Sequence, residues 1–230
     1  ALSELDAMNE AGPFAGRLDL ERIGLVGRSF GGGTTLVGLA MEDRFSAGFA
    51  VVPPGWTDQR ASLPPEYLVK DRESVLLSAD KVSTPFSQLH KPTFLLSGAE
   101  DALIISLAAN QAEAAKAPVP KPDNPHPALH AVFSASSEPA VWGLLGDSNH
   151  SSFGVSGGYW WPQLKPNTQK RTFDQTQEFT LIEPALAHKM QREKALAFFD
   201  LTIRQDTSAL KTLLDPVYSA EGLVIESRNF

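Results

Sequence analysis

The sequence predicts an α/β fold with a mostly parallel sheet flanked by helices, and three observations predict it. The short apolar run Ile23-Gly24-Leu25-Val26 leads through Gly27-Arg28-Ser29-Phe30-Gly31 into a stretch of helical character from Thr34 to Met41, a strand, sharp turn and helix in succession. Three further apolar runs, Phe49 to Val52, Thr93 to Leu96 and Val141 to Leu145, have the length of buried strands, and the first of them follows the helix as a parallel crossover requires. With 42% hydrophobic content, 230 residues suffice for one sizeable core, and 17 prolines and 17 glycines are too few to signal disorder. A single domain over residues 1–230 is expected.

Each element has its own signal. Leu2, Leu5 and Met8 recur at helical spacing before Gly12-Pro13 breaks the pattern, so the chain opens on a helix. Pro53-Pro54-Gly55 closes the strand candidate at Phe49 to Val52. Residues 56–91, with Pro64-Pro65 and several charges, are too long for an ordinary connection and read as a cap-like excursion over the face that carries the strand ends. After Gly98-Ala99-Glu100-Asp101 the alanine-rich stretch Leu103 to Lys116 predicts a helix, which Pro118 and Pro120 stop. Pro118 to Pro139 reads as proline-punctuated surface. Ile182, Leu186, Met190, Leu196, Phe199 and Ile203 mark one face of a long helix over Leu181 to Ile203, with Pro184 in its first turn. Gly222 to Ile225 is one more strand-like run.

Composition excludes several classes of function. A formal charge of −7, with no cluster of Lys or Arg, argues against nucleic acid as a partner. No apolar run reaches the roughly 20 residues of a membrane span, and no leader pattern opens the chain. Without cysteine there are no disulfides, thiol nucleophiles or thiolate metal sites, which leaves the compartment open. Among His90, His126, His130, His150 and His188, only His126 and His130 have i, i+4 spacing, across Pro127, so no metal site is expected.

The chemistry centres on Ser29. A serine hydroxyl becomes nucleophilic when an imidazole takes its proton and a sharp turn lifts it clear of the sheet. Gly27 and Gly31 suit such a turn, because a Cβ at either flank is expected to collide in a tight elbow. Asp101, at a strand end, is the candidate acid to orient the imidazole. Glu100 is its rival, Asp58 a weaker candidate, and a plain helix N-cap the bland reading of Asp101. His150 is the candidate base, since it alone among the histidines follows a predicted core strand, in a loop rich in Gly and Ser. His188 falls on the long helix, His90 leads into a strand, and His126 and His130 lie in the proline-rich segment. The N–H of Phe30, at a helix N-terminus, is the candidate oxyanion donor. Trp56, Tyr159 and Trp160, with Trp161, flank the candidate loops and are candidates to line a substrate pocket, burial being the alternative.

Three stretches carry a family resemblance: Arg22 to Gly32 running on to Arg44-Phe45-Ser46-Ala47-Gly48, the loop Gly146 to Phe153, and Lys194-Ala195-Leu196-Ala197-Phe198-Phe199. Together they cover about a third of the chain, and they resemble the platelet-activating-factor acetylhydrolase and bacterial lipase/esterase branch of the α/β-hydrolases. The order serine, acid, histidine along the chain is that of this fold. In the acetylhydrolases the acid follows the strand after the elbow helix, but the matching position here is Val52, followed by Pro53, which favours the placement at Asp101 found in dienelactone-hydrolase-like enzymes. Arg28 also departs from the histidine that often precedes the serine in that family.

The resemblance implies hydrolysis of a small or lipid-like carboxylic ester through an acyl-enzyme, with no cofactor. It also implies a second oxyanion donor on a loop near an early strand. That strand is expected to precede Ala1, so the chain is expected to be the C-terminal portion of the domain, completed by a preceding segment or chain. An amidase or peptidase on the same fold, and a non-catalytic binding protein that keeps the scaffold, are the alternatives.

Overall fold

The computed structural model describes residues 2–54, 89–112, 117–154 and 167–230. Along the chain these form α1 (Leu2–Glu10), β1 (Ile23–Arg28), α2 (Phe30–Met41), β2 (Phe45–Val51), β3 (Thr93–Gly98), α3 (Ala102–Ala112), α4 (Pro127–Ala135), β4 (Ala140–Leu145), β5 (Thr168–Lys170), β6 (Glu178–Thr180), α5 (Pro184–Thr202), α6 (Ala209–Leu214) and β7 (Leu223–Arg228). β1, β2, β3, β4 and β7 make one sheet in that order. The first four are parallel, and β7 closes the edge antiparallel to β4, with Leu145 opposite Leu223 and Ala140 opposite Arg228.

Alternation along the strands divides the core in two, because successive side chains point to opposite faces. Phe49, Val51, Phe94, Leu96, Val141 and Leu145 meet Ala187, Met190, Ala197 and Phe198 of α5 on one face. Ala50, Leu95, Ala140 and Trp142 meet Leu36 and Leu39 of α2 and Leu129 and Phe133 of α4 on the other. Phe94 sits at the centre of the first face, edge-on to both Phe49 and Phe198, with ring centroids 4.6 and 5.8 Å away. Among the described residues no helix is long and apolar enough to cross a membrane.

Two expectations change. The segment read as proline-punctuated surface contains α4, which Pro127 opens at its first position, where the missing N–H costs nothing, and which buries Leu129 and Phe133. Its prolines mark the boundaries of a packed helix. The antiparallel pair β5–β6 was also not anticipated: Thr168–Lys170 has no apolar residue, and the alternation Glu178-Phe179-Thr180-Leu181, with Phe179 and Leu181 buried, is too short to stand out.

Lys194 in α5 is 2% exposed, and its ammonium donates to the carbonyls of Thr212, Leu213 and Asp215 at 2.9, 3.0 and 2.8 Å. These are carbonyls at the C-terminal end of α6, which lack intrahelical partners and favour a cation. Lys194→Met keeps most of the apolar stem but strands the carbonyls. It is expected to lower the unfolding free energy by about 3 kcal/mol, read from urea denaturation.

Candidate functional site

The elbow is built by clearance on one side of Ser29 and by anchoring on the other. A Cβ on Gly27 would overlap the Gly31 carbonyl and stand 2.6 Å from Thr35 Oγ1, so β1 can enter α2 this tightly only through glycine. Gly31 differs from expectation: a Cβ there meets nothing within 4 Å, so the close approach is at Gly27 and at Gly32, which lies against Val51 and Pro53. The Ser29 N–H donates to the Val51 carbonyl at 2.8 Å, fixing the turn to the end of β2, and the Ser29 carbonyl accepts from Gly33 N–H at 3.1 Å to start the helix. Ser29 itself has φ 57° and ψ −125°, a backbone region unfavourable to any residue with a Cβ. Phe30 is the first residue of α2, which puts its N–H in the first turn at the positive end of the helix dipole.

Two strand-end loops bring the other candidates to this serine. Gly98 ends β3 so close to Ser148 that a Cβ would stand 2.7 Å from the Ser148 carbonyl oxygen. The loops are stitched together by Ala99 N–H to the Leu145 carbonyl and Glu100 N–H to the Ser148 carbonyl, at 2.9 and 3.0 Å. Asp101 is 0% exposed, and its two oxygens have different partners. Oδ1 accepts from Ile104 N–H at 3.1 Å, capping α3, and Oδ2 lies 2.8 Å from His150 Nδ1. The capping and the imidazole-orienting readings of Asp101 therefore describe the same carboxylate.

Asn149 holds the histidine loop from below, its Oδ1 accepting from the N–H groups of Ser151 and Ser152 at 2.9 and 3.2 Å. His150 then begins a short 3-10 turn, and its Nε2 lies 2.8 Å from Ser29 Oγ. With Nδ1–H donated to the carboxylate, Nε2 is the acceptor for the serine hydroxyl proton. Serine, imidazole and carboxylate thus form one continuous hydrogen-bonded relay whose members are 121 and 49 residues apart.

Glu100, the rival acid, is engaged elsewhere. It accepts from Arg171 at 2.9 Å and from Thr172 N–H at 2.7 Å, and Arg171 also pairs with Asp147 at 2.7 Å. These contacts dock the β5–β6 hairpin onto the acid and histidine loops. Beside His150, between that hairpin and the first turns of α3, lies an open hollow of about 450 Å³ lined mainly by polar side chains, Ser106, Gln169 and Gln175 among them. Trp56, Tyr159, Trp160, Trp161 and Asp58, and residues 56–88 of the expected excursion, lie outside the described residues.

A further histidine belongs to this neighbourhood, although the sequence marked only its proline-rich surroundings. His126 is 3% exposed and donates from Nε2 to the Gly98 carbonyl at 2.7 Å, while its Nδ1 has no partner among the described residues. Burial pushes its imidazole below the ordinary range, against the weaker pull of the Gly98 hydrogen bond and the Asp101 charge. The unfolded chain then takes up a proton near pH 6.5 that the folded chain refuses until lower pH, so stability is lost as pH falls through that window. A slope of up to about 1.4 kcal/mol per pH unit below pH 6.5 is expected, flattened in His126→Gln, by denaturant unfolding at pH 7.5 and 5.5.

The fold has counterparts among solved structures. A ferulic acid esterase from Streptomyces cinnamoneus superposes with a TM-score of 0.58 at 18% identity, covering 97% of this chain and 53% of the esterase. The fold is that of the α/β-hydrolases. The chain spans about half the length of that esterase. A puromycin-hydrolyzing peptidase of Mycobacterium tuberculosis matches at TM-score 0.46 and 16% identity over 88% of this chain and 24% of the peptidase. A Pyrococcus furiosus esterase matches at 0.36 and 17% over 71% and 57%. No protein-family model matches the chain, and no curated protein matches it in sequence. The Ser29 elbow joins β1, at one edge of the described five-stranded sheet, to α2, and the loops that carry Asp101 and His150 follow β3 and β4, with β2 between them and β1.

Proposed function

We propose that the chain carries the nucleophile, acid and base of a serine hydrolase that cleaves carboxylic esters through an acyl-enzyme. The observation that carries this reading is the relay Ser29 Oγ to His150 Nε2, and His150 Nδ1 to Asp101 Oδ2, each at 2.8 Å. His150 takes the hydroxyl proton as Ser29 attacks the ester carbonyl, and Asp101 stabilises the imidazolium that forms. The Phe30 N–H is one donor to the tetrahedral oxyanion. The imidazolium returns its proton to the departing alkoxide, so the alcohol half leaves on the His150 side, toward the polar hollow. Water, deprotonated by the same imidazole, then releases the acid and regenerates Ser29.

The α/β-hydrolase fold and the positive φ at Ser29 support this reading. No step calls for a cofactor, and the substrate is a small-molecule ester. The test is labelling with a fluorophosphonate, with the modified peptide located by mass spectrometry, alongside turnover of p-nitrophenyl esters and the matching p-nitroanilides. Labelling at Ser29 with ester turnover well above amide turnover is expected. A folded sample that takes up no label would overturn the proposal, and preference for the anilides would reassign it to amide bonds.

A further inference from the structure

Arg28 stands between the elbow glycine and Ser29, and its guanidinium reaches the histidine loop. Nη2 donates to the His150 carbonyl at 2.6 Å, bridging residues 122 apart in the chain. Charge-assisted hydrogen bonds of this kind are short and about twice as strong as neutral ones. The bridge ties the main chain of the proposed base to the residue covalently next to the proposed nucleophile.

Two features show that the guanidinium is held in this place. Gly154, which closes the 3-10 turn begun by His150, lies directly against it: a Cβ there would stand 2.8 Å from Cζ and 2.9 Å from Nη2. Gly154 has φ −113° and ψ 149°, a conformation open to any residue, so its lack of a side chain serves clearance for Arg28 and not the backbone. The second feature is an unmet cost. Among the described residues, Arg28 Nε is buried without a hydrogen-bond partner, a cost that a side chain placed only for packing would avoid.

We propose that Arg28 is a positioning residue that sets the reach of His150 over Ser29 by holding the His150 carbonyl. The inference rests on the reading of Ser29 and His150 as nucleophile and base. The Asp101 carboxylate fixes the ring's rotation and tautomer, and the Arg28 bridge fixes the height of the main chain from which the ring hangs. Lysine reproduces the bridge only in part, because its ammonium keeps the charge but lacks the planar fork that donates to the carbonyl.

The test compares Arg28→Met, Arg28→Lys and Gly154→Ala with the unaltered chain. It reads kcat and KM for a p-nitrophenyl ester, the second-order rate of fluorophosphonate labelling at Ser29, and thermal unfolding. Arg28→Met is expected to lower kcat and the labelling rate about 10-fold to 100-fold with KM little changed, the scale of a displacement near 1 Å in a reacting group. Arg28→Lys recovers part of the loss. Gly154→Ala, which leaves Arg28 intact but pushes its guanidinium aside, shows the same split between kcat and KM, and decides the matter if Arg28→Met does not fold. Wild-type labelling rates in a folded Arg28→Met or Gly154→Ala chain would overturn the inference and leave the hydrolase reading standing. Failure of the unaltered chain to label overturns both.

Discussion

Ser29→Ala is expected to lower kcat for a carboxylic ester by about 10⁴-fold to 10⁶-fold, the range seen when the nucleophile of a serine triad is removed. The unfolding free energy should stay within about 0.5 kcal/mol, because alanine keeps the Cβ and therefore the same backbone cost. Ser29→Gly separates that cost from the chemistry. At φ 57° and ψ −125° a Cβ costs roughly 1–3 kcal/mol, and glycine gives back about 0.5–1 kcal/mol through its freer unfolded chain. Ser29→Gly is accordingly expected to be as inactive as Ser29→Ala yet about 1 kcal/mol more stable, in urea denaturation run beside the ester assay. Retention of more than about a hundredth of the activity in Ser29→Ala would remove Ser29 from the nucleophile role.

Asp101→Asn is expected to lower kcat by about 10⁴-fold with little change in stability. The reason lies in the two oxygens. Asparagine can keep an oxygen on Ile104 N–H and so preserve the cap on α3, which leaves its NH₂ facing His150 Nδ1. That donor forces the imidazole proton onto Nε2, where it can no longer accept from Ser29 Oγ. Asp101→Ala is expected to lose similar activity and, with the cap gone, about 1 kcal/mol of stability as well. Comparing the two variants by steady-state kinetics and denaturation distinguishes orientation of the imidazole from capping. Similar stability and near-normal kcat in Asp101→Asn would assign the carboxylate to capping alone.

The strands were legible because each carries a short run of apolar residues with a turn signal behind it, as in Val141 to Leu145 before Gly146-Asp147. The long helix α5 was legible in extent, within three residues at its start, but its buried face only in part: Leu196, expected on that face, is exposed, while Ala187, Lys194, Ala197 and Phe198 are buried beside Met190. What escaped were elements whose signal is weak or masked. α4 spans nine residues between prolines, so the prolines were read as surface, although Pro127 serves as a helix start. The β5–β6 hairpin has a polar first strand and only one turn of alternation in its second, around Phe179, too short a period to detect. At the elbow, the glycine pattern was read as Gly27 and Gly31, but the crowded positions are Gly27 and Gly32; the backbone path, and not the pattern, decides which glycine is needed.

By itself the sequence determined the local events: a strand that must turn sharply at Ser29, and an Asp and a His placed at the ends of later strands. These are decided by residue type over a few positions, through backbone freedom, hydrophobic period and capping preference. Only the tertiary structure decided that Asp101 divides its oxygens between a helix end and His150, that Glu100 turns instead to Arg171, and that Arg28 reaches the main chain of the histidine loop. Apart from the cap on Ile104, three residues on, those contacts join residues 49 to 122 positions apart, across parallel strands whose register sets the distances. Burial of His126 and Lys194 was likewise decided there, since whether a polar side chain is enclosed depends on which distant elements pack around it.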